Sequence, residues 1–249
     1  MVRKLEGKIA VVTGGTTGIG LAIAKRFGAE GAQIILTGRR QAELEKARNA
    51  VGPDALAVQA DSANLSDLSR LFSEVKSRHG RIDVLVANAG GGSMLPLGSI
   101  TEEQYDDTFD RNVKGVLFTV QNALPLLVDG ASVTGSNVSI KGTPAFSVYS
   151  ASKAAVRNFA RSWTLDLKPR GIRVNVISPG PIKTPGLVEL AGPDSVKRQA
   201  MLDYMATTVP LGRVGEPDEV AKAAVFLASG DASYIAGIEL FVDGGQAQI

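Results

Sequence analysis

The feature of this sequence that most limits its fold is a regular alternation of short apolar runs with longer segments of helical periodicity. The apolar runs occupy residues 8–14, 32–38, 55–61, 82–90, 131–136, 171–180 and 237–245. Helical segments lie between them, at 19–31, 41–51, 65–80, 101–127 and around Tyr149. Strands that are apolar along their whole length are buried on both faces, and helical crossovers join parallel strands. The pattern therefore predicts an α/β fold with a doubly wound seven-stranded parallel sheet, in a single domain over residues 1–249.

One segment interrupts this alternation. Residues 185–210 have helical periodicity and follow the sixth apolar run, where the carboxyl end of a strand is expected. Ligands in open α/β sheets bind outside those strand ends. We therefore interpret 185–210 as a lid over a substrate, and the alternative is a packed helical excursion.

The residue counts exclude several classes of protein. The chain has no cysteine, which excludes disulfides, thiolate metal sites and cysteine nucleophiles. Its one histidine, His79, stands before Gly80 at the expected end of a helix, where a cation suits the helix dipole. A Ser-His-Asp hydrolase would need that histidine. The acid or base of an enzyme would therefore be Tyr, Lys, Asp or Glu, and no metal site is expected.

Charge and hydropathy narrow the range of partners. The net charge is +2, aromatic residues make up 5% and no long basic run occurs, so nothing indicates a nucleic-acid surface. No apolar run approaches the roughly 20 residues that span a bilayer. The basic start of the chain is interrupted by Glu6 and lacks a small-residue cleavage site, so it is interpreted as the approach to a first strand. We expect a cytoplasmic protein without nucleic-acid or membrane partners.

Three glycines follow the first apolar run in the stretch VTGGTTGIG and open the first helix. Gly14, Gly18 and Gly20 form a G-x-x-x-G-x-G pattern, whose turn needs backbone angles that glycine adopts freely. The helix start then offers amide donors and a positive dipole end to a pyrophosphate. This predicts a Rossmann-like dinucleotide site that also includes Thr16, Thr17 and Ile19, whereas the alternative is a tight turn without a ligand.

The end of the second strand indicates which dinucleotide binds. NAD sites usually place a carboxylate there, about 20 residues beyond the glycines, to bind the ribose 2′-hydroxyl. The sequence instead has Arg39 and Arg40, and a guanidinium can hold a 2′-phosphate. We therefore predict NADP(H) as the cofactor, with NAD(H) disfavoured and Arg39 as the main anchor. The alternative is that both arginines are solvated surface charges.

A tyrosine and a lysine lie one helical turn apart in the stretch SVYSASKAA. At this spacing Tyr149 and Lys153 share one helix face. The pair is either ordinary scaffolding or an acid whose pKa a neighbouring ammonium lowers towards neutrality.

Several motifs together resemble the short-chain dehydrogenase/reductase family over nearly the whole chain. They occur in family order: TGGTTGIG at 13–20, NAG at 88–90, Asn112 in DRNVKG, Ser136, YSASK at 149–153, SPGPIKT at 178–184 and VDGG at 242–245. Arg39 makes the sequence similar to the NADP-preferring carbonyl reductases of that family.

The resemblance implies four catalytic residues. Tyr149 would be the general acid in reduction, its pKa lowered by Lys153 and the oxidised nicotinamide. Lys153 would also hold the nicotinamide ribose, Ser136 would bind the substrate oxygen and Asn112 would hold a water of a proton relay. Further cofactor contacts are implied at Asp61, Ser62, Asn88, Ala89, Gly90, Pro179, Gly180, Ile182 and Thr184. The resemblance also implies a homotetramer.

One departure from the family pattern concerns the fifth strand. It is predicted only at residues 131–136, about two residues shorter than is usual in the family. Because the strand period is two residues, a loss of two would leave Ser136 on the same face, but at a different depth.

These observations favour a hydride transfer between NADP(H) and a ketone or secondary alcohol. The substrate pocket is expected at Gly91–Met94, Val138, Phe146, Pro179–Ile182 and the lid. Reduction of a 3-oxoacyl thioester on a carrier protein stays open, as does a non-catalytic NADP-binding sensor or scaffold. A methyltransferase would leave the Tyr149–Lys153 pair and Arg39 without a role.

Overall fold

The computed structural model describes residues 3–136 and 143–247, and it confirms the predicted sheet. Seven parallel strands pair in the order β3-β2-β1-β4-β5-β6-β7. They are β1 (Ile9–Val12), β2 (Gln33–Gly38), β3 (Leu56–Gln59), β4 (Ile82–Ala87), β5 (Leu127–Ser136), β6 (Arg173–Pro179) and β7 (Glu239–Val242). The order reverses between β1 and β4, which creates the switch point where such sheets bind ligands.

Helices cover both faces of the sheet. They are α1 (Gly18–Ala29), α2 (Gln41–Val51), α3 (Leu65–His79), α4 (Glu102–Phe109), α5 (Gly115–Ala123), α6 (Ser147–Asp166), α7 (Pro185–Glu189), α8 (Ser195–Thr207) and α9 (Pro217–Ala228). Within the described part of the chain, none of them is long and apolar enough to cross a membrane.

Strand β1 shows how the two faces are filled. Ala10 and Val12 belong to a core cluster with Phe27 of α1, and the alternate residues Ile9 and Val11 belong to a second cluster on the other face. A strand that is buried on both faces has no polar side, which explains its continuous apolar sequence.

The helix predicted over residues 101–127 is interrupted. A π-helical turn at Asp110–Lys114 separates α4 from α5, and α5 ends at Ala123, before Pro125. A π turn inserts an extra residue into the helix and occurs frequently at functional sites. Here the turn contains Asn112, whose side chain is fully buried.

The predicted start of the fifth strand, at residue 131, was wrong. Strand β5 begins at Leu127, but Ile82 pairs with Leu127 while Val84 already pairs with Ser132, so the first residues of β5 bulge out. Gly130, with a φ of +79°, lies in this bulge. Pairing with β6 begins at Ser132 and continues to Ser136, opposite Ile177. The apolar pattern failed because Asp129 and Gly130 belong to the bulge.

The predicted lid segment forms two helices, α7 and α8. Thr184 caps α7 through a bond that its Oγ1 accepts from the Leu187 amide at 3.2 Å. Just before the lid, Ile182 forms a parallel bridge with Gly215, so the two ends of the segment meet.

Candidate active site

The glycine loop leaves a cradle at the start of α1. Gly14 and Gly18 have φ values of +63° and +54°, in the left-handed region that favours glycine. At Gly20 a Cβ would lie 2.2 Å from the Gly14 carbonyl oxygen. The loop and the helix start can pack this closely only without side chains at these positions.

Asn88, at the end of β4, fixes this loop. Its Nδ2 donates to the carbonyl oxygens of Thr13 and Gly14, each at 3.1 Å. Thr13 Oγ1 accepts from the backbone amides of Asn88 and Ala89 at 3.1 and 3.2 Å. These four bonds join the ends of β1 and β4 at the switch point, and they leave Ala89 and Gly90 beside the glycine loop.

Charged groups gather at the ends of β2 and β3. Arg39 is more than half exposed, and its Nη1 lies 3.9 Å from Asp61 Oδ2. Gly38, just before it, packs on Thr16, where a Cβ would meet Thr16 Cγ2 at 2.2 Å. Arg40 stands at the N-cap position of α2 without a side-chain capping bond, and Asp61 Oδ1 accepts from the Ala63 amide at 3.0 Å. This end of the cleft therefore brings together two arginines and one carboxylate.

Tyr149 lies in the first turn of α6 against two walls. Its ring stacks on Phe146, with 4.4 Å between the ring centroids. On another side it touches the loop after β4, because a Cβ on Gly92 would be 2.5 Å from Tyr149 Cδ2. Glycine at position 92 is thus required for the phenol to reach this position.

Lys153 lies one turn further along α6 and is buried. Its Nζ is 5.4 Å from the centroid of the Tyr149 ring. Burial lowers the pKa of Lys153 to about 8 and raises the pKa of Tyr149 to about 12. The expected lowering of the tyrosine pKa is therefore absent from the protein alone, because desolvation disfavours both charged forms.

Asn112 joins three parts of the site. Its Oδ1 accepts from the Gly91 amide at 2.9 Å, and its Nδ2 donates to the Gly91 carbonyl and to Ser152 Oγ at 3.0 and 2.9 Å. Ser152 Oγ in turn donates to the Tyr149 carbonyl at 2.6 Å. The π turn, the loop after β4 and α6 are thereby fixed to one another around Lys153.

The remaining predicted residues end the neighbouring strands. The backbone of Ser136 closes β5 beside Ile177 of β6, while its side chain, like Val138, lies outside the described part of the structure. Gly180 packs on Asp243, where a Cβ would be 2.7 Å from the Asp243 Cα. Thr184 approaches the glycine loop: a Cβ on Gly18 would be 3.1 Å from Thr184 Cγ2. Ser62, Pro179 and Ile182 lie at the same edge of the sheet, beyond β3 and at the end of β6.

Sequence reasoning assigned no role to Thr13 and Ser152. Thr13 Oγ1 accepts from the amides of Asn88 and Ala89, and Ser152 Oγ accepts from Asn112. Both residues lie inside the quoted motifs TGGTTGIG and YSASK, but the motifs do not show which partners these hydroxyls meet. Gly92 lies within the predicted pocket range 91–94, and the structure adds its contact with the Tyr149 ring.

Comparison with known proteins agrees with this geometry. Residues 14–247 match a family model described as enoyl-(acyl carrier protein) reductase. The oxidoreductase asL5 of Sarocladium schorii is 48% identical, covering 100% of this chain and 99% of its own. An NADP-dependent (R)-specific alcohol dehydrogenase of Lentilactobacillus kefiri is 36% identical, with 98% of each chain covered.

The fold has a solved counterpart of the same kind. The crystal structure of a short-chain dehydrogenase/reductase of the glucose/ribitol dehydrogenase type from Brucella melitensis superimposes with a TM-score of 0.92 at 31% identity, covering 100% of both chains. The chain is therefore an oxidoreductase that belongs to the short-chain dehydrogenase/reductase family.

Proposed function

We propose that the protein transfers a hydride between NADP(H) and a ketone or secondary alcohol. The observation that carries the proposal is the convergence of buried Lys153 and Tyr149 with the glycine cradle at one edge of the sheet. A packed scaffold has no need for a buried lysine, because desolvation of the ammonium is costly. A site that binds a substrate and moves a proton can use a buried ammonium, because its charge acts strongly there.

The cradle fits a dinucleotide. Side chains are missing at Gly14, Gly18 and Gly20, where the backbone would approach a pyrophosphate, and Thr17, which precedes α1, makes no side-chain cap to its first amides. Ala89 and Gly90 would line the cofactor, and Pro179, Gly180, Ile182 and Thr184 would border its nicotinamide end. When bound, the nicotinamide supplies or accepts the hydride.

Tyr149 holds the proton of the reaction. With its pKa raised to about 12, the phenol is protonated at neutral pH, which is the form a general acid needs in reduction. In oxidation the phenolate must form, and the Lys153 ammonium, whose Nζ lies 5.4 Å from the centroid of the phenol ring, would stabilise it. We propose that Ser136 donates to the developing oxyanion from the end of β5.

Lys153 and Asn112 would return the proton to solvent. The pKa of Lys153, lowered to about 8, lies close enough to neutrality for the ammonium to give up a proton and regain it. Asn112 fixes the Gly91 backbone and Ser152 beside the lysine, which supports its proposed role of holding a relay water.

Arg39 supports the preference for NADP(H) over NAD(H). No carboxylate occupies the end of β2, and the Arg39 guanidinium is exposed and only distantly paired with Asp61. Asp61 would meet the adenine. That one relative carries an NADP-dependent name adds to this argument.

The lid would cover an apolar substrate. Leu190 in the lid is 46% exposed and Met94 in the loop after β4 is 48% exposed. Exposed apolar side chains at the mouth of a cleft favour a substrate with an apolar body.

The test follows the absorbance of NADPH, and separately of NADH, against a panel of ketones and one 3-oxoacyl thioester. We expect faster turnover with NADPH on ketones. The variant Arg39→Asp should raise the Michaelis constant for NADPH about 10-fold or more and improve NADH, since a guanidinium–phosphate contact contributes roughly 1.5–3 kcal/mol. Equal use of both cofactors by the unmodified protein would refute the role of Arg39. Oxidation of neither cofactor by any substrate, with both still bound, would favour a sensor.

A further inference from the structure

Arg111 lies between the two halves of the candidate cofactor site. It belongs to the π turn, next to Asn112, and its Nη1 points at the loop after β4: a Cβ on Gly91 would be 3.5 Å from it. Ala89 and Gly90, which immediately precede Gly91, flank the glycine loop. The arginine therefore borders the path along which the cofactor would lie.

The chain just after this turn contacts the part of the site where the adenosine of the cofactor would lie. Gly115 follows the turn and packs on Ser62, where a Cβ would be 2.9 Å from the Ser62 carbonyl oxygen. Burial lowers the pKa of Arg111, the charge of Arg39 lowers it further, and the charge of Asp61 opposes both. Arg111 thus lies within electrostatic reach of the two residues that mark the adenosine end.

The edge of the Arg111 guanidinium is already occupied. Its Nε donates to Asp107 Oδ1 at 2.7 Å, and its Nη2 donates to the other oxygen of the same carboxylate. This bidentate ion pair offsets much of the positive charge of Arg111 and fixes the plane of its guanidinium group. Nη1 takes no part in this pair, and the faces of a guanidinium stack on aromatic rings.

We propose that Arg111 is a stacking platform for the adenine ring of the cofactor. Arg39, exposed and distantly paired, is suited to a phosphate, whereas Arg111, held edge-on by Asp107 and 28% exposed, is suited to a base. The inference rests on the proposed dinucleotide function and adds a cofactor-binding residue to it. It separates two contributions: Arg39 sets the preference for the 2′-phosphate, and Arg111 adds affinity for any adenine dinucleotide.

The test measures the dissociation constants of NADPH, NADH and 2′,5′-ADP by calorimetry for the unmodified protein and Arg111→Ala. Loss of a guanidinium that lies on the face of a ring typically costs about 2- to 30-fold in affinity. We expect the same factor for all three ligands. Arg111→Lys keeps the charge and the aliphatic stem but loses the plane, so it should show a comparable loss. The matched control is Arg78→Ala on α3, which also removes an i,i+4 pair, with Glu74, and should change none of the three constants.

Three results would overturn the proposal. Unchanged affinity in Arg111→Ala would show that the base does not rest there. A loss confined to NADPH and 2′,5′-ADP would make Arg111 a phosphate ligand, and full affinity in Arg111→Lys would make the charge the active feature. Failure of the unmodified protein to bind any of the ligands would instead overturn the dinucleotide function itself.

Discussion

Replacing Lys153 with methionine is expected to stabilise the cofactor-free protein at neutral pH. The buried lysine has a pKa of about 8 against 10.5 for the free side chain. One pKa unit corresponds to about 1.4 kcal/mol, so holding this ammonium in the folded protein costs about 3 kcal/mol. Methionine fills a similar volume without charge, and Lys153→Met should therefore raise the free energy of unfolding by up to that amount.

The gain should depend on pH in a defined direction. Below pH 8 the lysine is protonated in both states and the folded protein bears the full desolvation cost. Between pH 8 and 10.5 only the unfolded chain binds the proton, so the stability of the unmodified protein rises with pH. The advantage of Lys153→Met should thus be largest at pH 7 and nearly gone at pH 10.5.

Thermal unfolding at the two pH values measures this effect. A gain of about 3 kcal/mol should raise the midpoint by roughly 6–12 °C in a chain of this size. Lys46→Met, at an exposed lysine of α2, is the control and should change little at either pH. If Lys153→Met is less stable than the unmodified protein at pH 7, or is stabilised equally at both pH values, then the buried ammonium does not carry this desolvation cost.

Two further predictions concern the cofactor loop and the start of the sheet. Gly20→Ala should abolish measurable NADPH binding and destabilise the protein by about 1–3 kcal/mol, because the new Cβ would meet the Gly14 carbonyl oxygen at 2.2 Å. The control is Gly230→Ala, whose Cβ would meet no atom within 4 Å and which should leave NADPH binding by calorimetry unchanged. Normal NADPH binding in Gly20→Ala would contradict the close packing proposed for the glycine loop. Burial pushes the pKa of Asp83 upwards, but bonds from the Ile9 amide and from Arg81 and Lys8 lower it overall. Asp83→Asn should therefore cost about 2 kcal/mol at pH 7 in urea unfolding, with the cost shrinking as the pH falls below 4, and a cost independent of pH would count against the pKa argument.

The sequence predicted the sheet well because its signal is local and strong. Apolar strands buried on both faces, as in β1, differ clearly from amphipathic helices. The glycine loop and the shared helix face of Tyr149 and Lys153 were also predictable, since each depends only on residues that are close in sequence.

The sequence could not predict features that depend on contacts between distant segments. The π turn at Asn112 depends on bonds to Gly91 and Ser152, which no periodicity reveals. The bulge that extends β5 to Leu127 depends on its pairing with β4. The burial that raises the pKa of Tyr149 in the protein alone is likewise invisible in the sequence, which shows the neighbouring charge but not the desolvation.

The most direct test of the central claim compares Tyr149→Phe with the unmodified protein in NADPH-dependent ketone reduction, with NADPH binding measured in parallel. Tyr204→Phe, at a tyrosine of α8 that is 70% exposed, is the control. Tyr149→Phe is expected to lose about 10²- to 10⁴-fold in turnover while binding NADPH normally, since only the proton donor is removed. Turnover within a few-fold of the unmodified protein would contradict this role of Tyr149.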